Sequence, residues 1–77
     1  MVDELELENR IKISGKKIGY LAEKLGISRQ YFRAKCKNKA DFTNRETDIL
    51  CKELNITDIV EKERIFFAQN VDKNGNK

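Results

Sequence analysis

The chain has 77 residues, 38% of them charged and 39% hydrophobic, with a formal net charge of +3 and no histidine. A chain this short folds as one domain and buries roughly 60% of the surface its unfolded form exposes, which leaves little room for a deep catalytic cleft. Without histidine, the commonest metal ligand and general base is missing; no glycine-rich phosphate loop or paired-carboxylate cluster in an apolar setting replaces it, so the sequence points away from an enzyme, a metal or a cofactor.

Apolar residues recur three and four apart and there is no proline, so the expected class is all-α, a compact bundle of four to five helices. A first helix is expected from about Asp3 to Ser14, with Leu7 and Ile11 inward, Leu5 and Ile13 as further inward candidates, and Gly15 as a left-handed cap. A second should run from about Lys17 to Leu25, with Ile18, Leu21, Ala22 and Leu25 on one face and Gly26 at its end. Ser28 is placed to cap a third helix reaching about Asn38, whose apolar stripe is Phe32 and Cys36. Thr43 and Glu46 form the pattern of a capping box, opening a fourth helix to about Leu54, with Phe42 as a staple before it and Ile49, Leu50, Cys51 and Leu54 available for the core.

Past Asn55 the pattern is less decisive. Ile56, Ile59 and Val60 read as buried, with Thr57 or Asp58 capping a short fifth helix. Ile65–Ala68 either ends that helix or forms a short strand. One domain over 1–68 and a flexible polar tail over 69–77 complete the expected organisation.

No stretch approaches the 18 or so apolar residues needed to span a bilayer, and the N-terminus MVDELELENR is acidic where a signal peptide would be basic and then apolar. A cytoplasmic protein with no membrane contact is expected. Cys36 and Cys51 fall at apolar phases of helices and read as reduced core residues; a disulfide would need an oxidising compartment.

The charge is unevenly distributed. Residues 1–9 hold four acids and no base, residues 10–39 hold ten bases against the single acid Glu23, and residues 40–77 hold six bases and eight acids. A local balance of +9 in the middle block attracts a polyanion whatever the ends do.

Within that block, KIGYLAEKLGISRQYFRAKCKNK joins two short helices through Gly26-Ile27-Ser28. Ala22 is small where the helices must cross, Gly26 can take the positive φ of a sharp reversal, and Leu25, Ile27 and Phe32 fill the corner. With that face inward, Arg29, Gln30, Arg33 and Lys37 project along one outward stripe, flanked by Ala34, which permits close approach. Such a stripe suits a recognition helix in the major groove: arginine pairs with guanine N7 and O6, glutamine with adenine N6 and N7. Lys16, Lys17, Tyr31, Lys35, Asn38, Lys39, Thr43 and Arg45 surround it as candidate phosphate contacts. Amides at the starts of the second and fourth helices are further candidates.

LAEKLGISRQ, with Gly26 at the turn and Phe32 as anchor, resembles the lambda repressor-like, Cro-type helix-turn-helix family of phages and their bacterial hosts, over about Leu7 to Leu54. The resemblance implies a sequence-specific transcriptional regulator. Arg29, Gln30, Arg33 and Ala34 then face bases, and residues near Lys17, Asn38 and Thr43 face the backbone. The chain departs from the family at Ile18, where a phosphate-binding glutamine is common, and at Lys35, a usually apolar position whose core role is expected to pass to Cys36. One recognition helix reads about half a site, so a homodimer on a palindromic double-stranded operator is expected, with Phe66 and Phe67 in the dimer contact. The alternative keeps the fold and changes the partner, as in an antitoxin or anti-repressor.

Overall fold

A computed structural model describes residues 1–68, which form five α-helices and no strand. These are α1 (Glu4–Ser14), α2 (Ile18–Leu25), α3 (Arg29–Cys36), α4 (Asn44–Glu53) and α5 (Ile59–Phe66). None is long and apolar enough to cross a membrane. The tail expected over 69–77 lies outside the described residues.

Local chemistry sets the helix boundaries. Asp3, Ser28, Thr43 and Asp58 each accept a first-turn amide through a side-chain oxygen, which satisfies a donor the helix itself cannot. At Thr43 the capping box is complete, because the Glu46 carboxylate also accepts from the Thr43 amide. Gly15 and Gly26 end α1 and α2 at φ 73° and 76°.

Asparagine does the same work after α3 and α4, with Asn38 at φ 64° and Asn55 at φ 61°. In both places the next residue's amide reaches back to a carbonyl five residues earlier, Lys39 to Ala34 and Ile56 to Cys51. Those bonds satisfy terminal carbonyls that the helix leaves open.

Phe32, Leu7, Leu21, Leu50 and Ile65 are fully buried at the centre, one or more from every helix. Ala22, Leu25, Cys51, Leu54, Ile56 and Phe66 complete the core with Val2. Phe42 bridges Phe32 and Phe66 through two edge-to-face contacts, at 5.9 Å and 6.0 Å between ring centroids. Both cysteines are free thiols; Cys51 is buried and Cys36 half-buried.

Four apolar residues expected inward are instead exposed: Leu5, Ile13, Ile59 and Val60. In α1 only Leu7 is buried and Ile11 packs at the margin, because α3 and α5 cover a narrow strip of that helix. Helix α5 buries Ile65 and Phe66 at its C-terminal end and leaves its first turn in solvent. The helical reading of Ile65–Phe66 therefore holds, and the strand alternative does not.

The N-terminal residues 1–3 are held by hydrogen bonds. The Asp3 amide donates to the Ile65 carbonyl at 2.7 Å, and the Ala68 amide donates to the Met1 carbonyl at 3.0 Å. On the other side, Asn38 accepts from the Val2 amide at 2.8 Å and donates to the Val2 carbonyl at 2.9 Å. Val2 is thereby pressed into the core between the end of α3 and α5.

Candidate nucleic-acid interface

Helices α2 and α3 pack on each other and meet through Gly26-Ile27-Ser28. The turn closes by backbone bonds from Gly26 to Glu23 and from Ile27 to Ala22, both 3.0 Å. Ala22 is buried at 2% exposure where the two helices approach. Phe32, fully buried, fixes the rotation of α3 about its own axis. Arg29, Gln30, Tyr31, Arg33 and Lys37 are consequently exposed and Ala34 is half-buried. On α3, residues 29 and 33 lie on a single face, with 30 and 34 beside them, and Lys37 follows as the helix C-cap.

Three expected phosphate ligands have other duties. Lys35 is 3% exposed; its ammonium donates to Glu46 Oε1 at 2.5 Å and lies 4.6 Å from the Tyr31 ring centroid and 5.9 Å from that of Phe42. It therefore occupies the core position that was expected to pass to Cys36, and it cannot reach a phosphate from there. Burial alone would raise the Glu46 carboxyl, but the Lys35 hydrogen bond and the Thr43 amide outweigh it and hold the group below its ordinary value. Asn38 spends its amide on Val2, and the Thr43 hydroxyl on the Glu46 amide. Nothing in the sequence pattern shows a lysine and a glutamate eleven residues apart meeting in the interior.

The remaining bases differ in freedom. Lys17 and Lys39 are exposed, and Arg45 is exposed with Nη1 at 3.5 Å from the Leu25 carbonyl. Lys16 is tied to Glu53, donating to both its carboxylate and its backbone carbonyl at 2.8 Å. Tyr20 joins this group: its hydroxyl donates to Glu53 at 3.1 Å, and Lys16 and Lys24 flank its ring. The Lys16 hydrogen bond, then that of Tyr20, holds the Glu53 carboxyl below its ordinary value despite partial desolvation.

The helix starts differ as well. Lys17 opens α2 without any side-chain cap bond, while α4 has its complete capping box. Of the two amide sites expected from sequence, only the one at α2 is left uncapped.

At the far end of α3 the environment turns acidic. Burial lifts the Cys36 thiol to about 11; Lys37 opposes the lift and the nearby Glu4 and Glu8 add to it. The thiol stays protonated at neutral pH and is no nucleophile. A groove of about 1170 Å³ opens beside it, with Met1, Leu5, Val60 and Phe67 among its exposed apolar residues and Glu4, Glu63, Arg64 and Lys37 among its charges. Phe66, expected in a dimer contact, is 4% exposed and packs on Phe42 in the core, whereas Phe67 is 52% exposed at the groove. Sequence periodicity cannot separate two adjacent phenylalanines at the end of a helix.

Compared with protein-family models, with curated proteins and with solved structures, the chain finds no match.

Proposed function

We propose that the protein is a sequence-specific DNA-binding regulator of the lambda repressor-like, Cro type, with α3 as the helix that enters the major groove. The observation that carries the reading is the exposure of Arg29, Gln30 and Arg33 together on a helix whose opposite side is anchored by Phe32 and Lys35. These residues sit in the block with nine excess positive charges. Arg29 and Arg33 pair with guanine and Gln30 with adenine, with Ala34 on the same face, while Lys37 follows at the C-cap where α3 meets the groove. Lys17, Lys39, Arg45 and Tyr31, with the uncapped amides of α2, hold flanking phosphates.

Binding of end-labelled duplexes selected from a randomised pool tests this. Arg29→Ala, Gln30→Ala or Arg33→Ala is expected to cost about 1–3 kcal/mol on the selected sequence and relax preference at one base pair. Lys17→Ala or Lys39→Ala should weaken binding to all sequences alike and lower the salt slope by about one. Unaltered binding by both groups of variants would sink the proposal.

The protein acts on a palindrome as a homodimer in this reading, and the dimer contact moves from Phe66 to the groove. Exposed Leu5, Val60 and Phe67 line it, and its rim carries both signs of charge, which lets the same patch face itself across a two-fold axis. Sedimentation should give a dimer for the wild type and a monomer for the Leu5→Lys, Phe67→Lys variant. A wild type that stays monomeric at high concentration would overturn the dimer, and a co-purifying protein lost in the same variant would favour the antitoxin or anti-repressor alternative.

A further inference from the structure

Glycine occurs three times among the described residues, and for two different reasons. Gly15 and Gly26 have left-handed backbones and open space where a Cβ would lie. Gly19 is the reverse. It sits in the first turn of α2 with no left-handed φ, so its backbone would accept any residue. What a side chain there would meet is Arg29: a Cβ on Gly19 would lie 2.7 Å from Arg29 Nε, 3.1 Å from Nη2 and 3.2 Å from Cζ. The guanidinium of the first α3 residue thus crosses the turn and lies on the bare backbone of α2.

We infer that Gly19 is a positioning residue for Arg29, its missing side chain forming the seat that directs the guanidinium before DNA is bound. The inference rests on the DNA-binding reading above and deepens it at one residue. An arginine side chain is long and loses much rotamer freedom when it pairs with a base. One already lying against a helix loses less, which favours the complex by preorganisation. The three atoms nearest that Cβ position all belong to Arg29, so the space at Gly19 is taken up by this side chain. The seat also explains a helix-weakening residue in the first turn of a two-turn helix. The atoms a Cβ would displace belong to the flexible end of an exposed side chain, so the fold tolerates the change and Arg29 does not.

Gly19→Ala separates the two roles. Its thermal midpoint is expected to rise by roughly 2–5 °C, because alanine is the better helix former. Its affinity for the duplex selected by the wild type should fall about 5- to 50-fold, while binding to unrelated duplex at the same salt changes less than twofold. Added to Arg29→Ala, the substitution should cost nothing more. In the free wild-type protein, NMR should show cross-peaks between the Gly19 Hα and Arg29 Hδ protons. Loss of affinity by Arg29→Ala with full affinity retained by Gly19→Ala would overturn the seat and leave the DNA-binding reading standing. Equal losses on selected and unrelated duplex, or absence of the cross-peaks, would also overturn it. Wild-type affinity in Arg29→Ala would remove both the seat and the Arg29 assignment.

Discussion

Replacing Lys35 by alanine is expected to destabilise the protein by about 3–5 kcal/mol, the cost of breaking a buried ion pair from one side. A domain this size holds roughly 4–10 kcal/mol in all, so the variant should be largely unfolded near body temperature. The pair is 3% and 8% exposed at its two side chains, and Glu46 also closes the α4 capping box. Removing the ammonium therefore leaves a carboxylate without its main partner in the interior and loosens the start of α4. Lys35→Met combined with Glu46→Gln should restore most of the loss, since methionine fills the volume and glutamine can still serve the capping box.

The same pair gives a pH signature. The Glu46 carboxyl is held below its ordinary value of 4.5 in the fold. Its contribution is complete above that value and is lost as the pH falls through the lower folded one. Urea midpoints measured from pH 7 down to pH 3 should show this acid loss in the wild type and a blunted loss in Lys35→Met, Glu46→Gln. Identical profiles would show that the pair does not carry it.

Phe32→Ala is expected to cost about 3–5 kcal/mol as well, through lost burial and a cavity at the centre. Phe32 is fully buried, and its ring meets Phe42, which in turn meets Phe66. Removing it takes the anchor from α3 and the first member from an aromatic chain joining α3 to α5. Phe32→Leu keeps most of the volume and should cost only about 1–1.5 kcal/mol. At 10 °C, where Phe32→Leu remains folded, it should bind selected DNA within a few-fold of the wild type, because Arg29, Gln30 and Arg33 are unchanged. A large loss of affinity in a fully folded Phe32→Leu would mean that base reading depends on finer packing beneath α3 than burial alone suggests.

The helix boundaries were legible because their causes are local. Ser28, Asp3 and the Thr43–Glu46 box each satisfy donors within three residues, and Gly15 and Gly26 answer a backbone requirement at their own position. Asn38 shows where that legibility stops. Its positive φ is a local property that asparagine tolerates, but its bonds to Val2 join residues 36 apart, and no spacing rule announces them. Its place beside the recognition helix and the family resemblance point it at a phosphate, whereas in the fold its side chain holds Val2.

The apolar residues mark the same boundary. Leu7 and Leu5 are indistinguishable by type and differ by half a turn, yet one is fully buried and the other 79% exposed. Which stripe of α1 faces inward depends on where α3 and α5 lie, and that helix's own pattern is too weak to decide it. Ile59 and Val60, inward by pattern, are exposed for a similar reason: α5 docks by its last turn.

The helix–turn–helix unit and its outward row of Arg29, Gln30, Arg33 and Lys37 came from the sequence by itself, since capping, the Gly26 reversal and the Phe32 phase act over a few residues. The all-helical class came from it too. Tertiary structure alone decided that Lys35 is a core residue paired with Glu46, that Phe66 is interior and Phe67 is not, and that Gly19 gives its space to Arg29. Each of those depends on two distant segments sharing one small volume, and a side chain's character does not say which neighbour will share it.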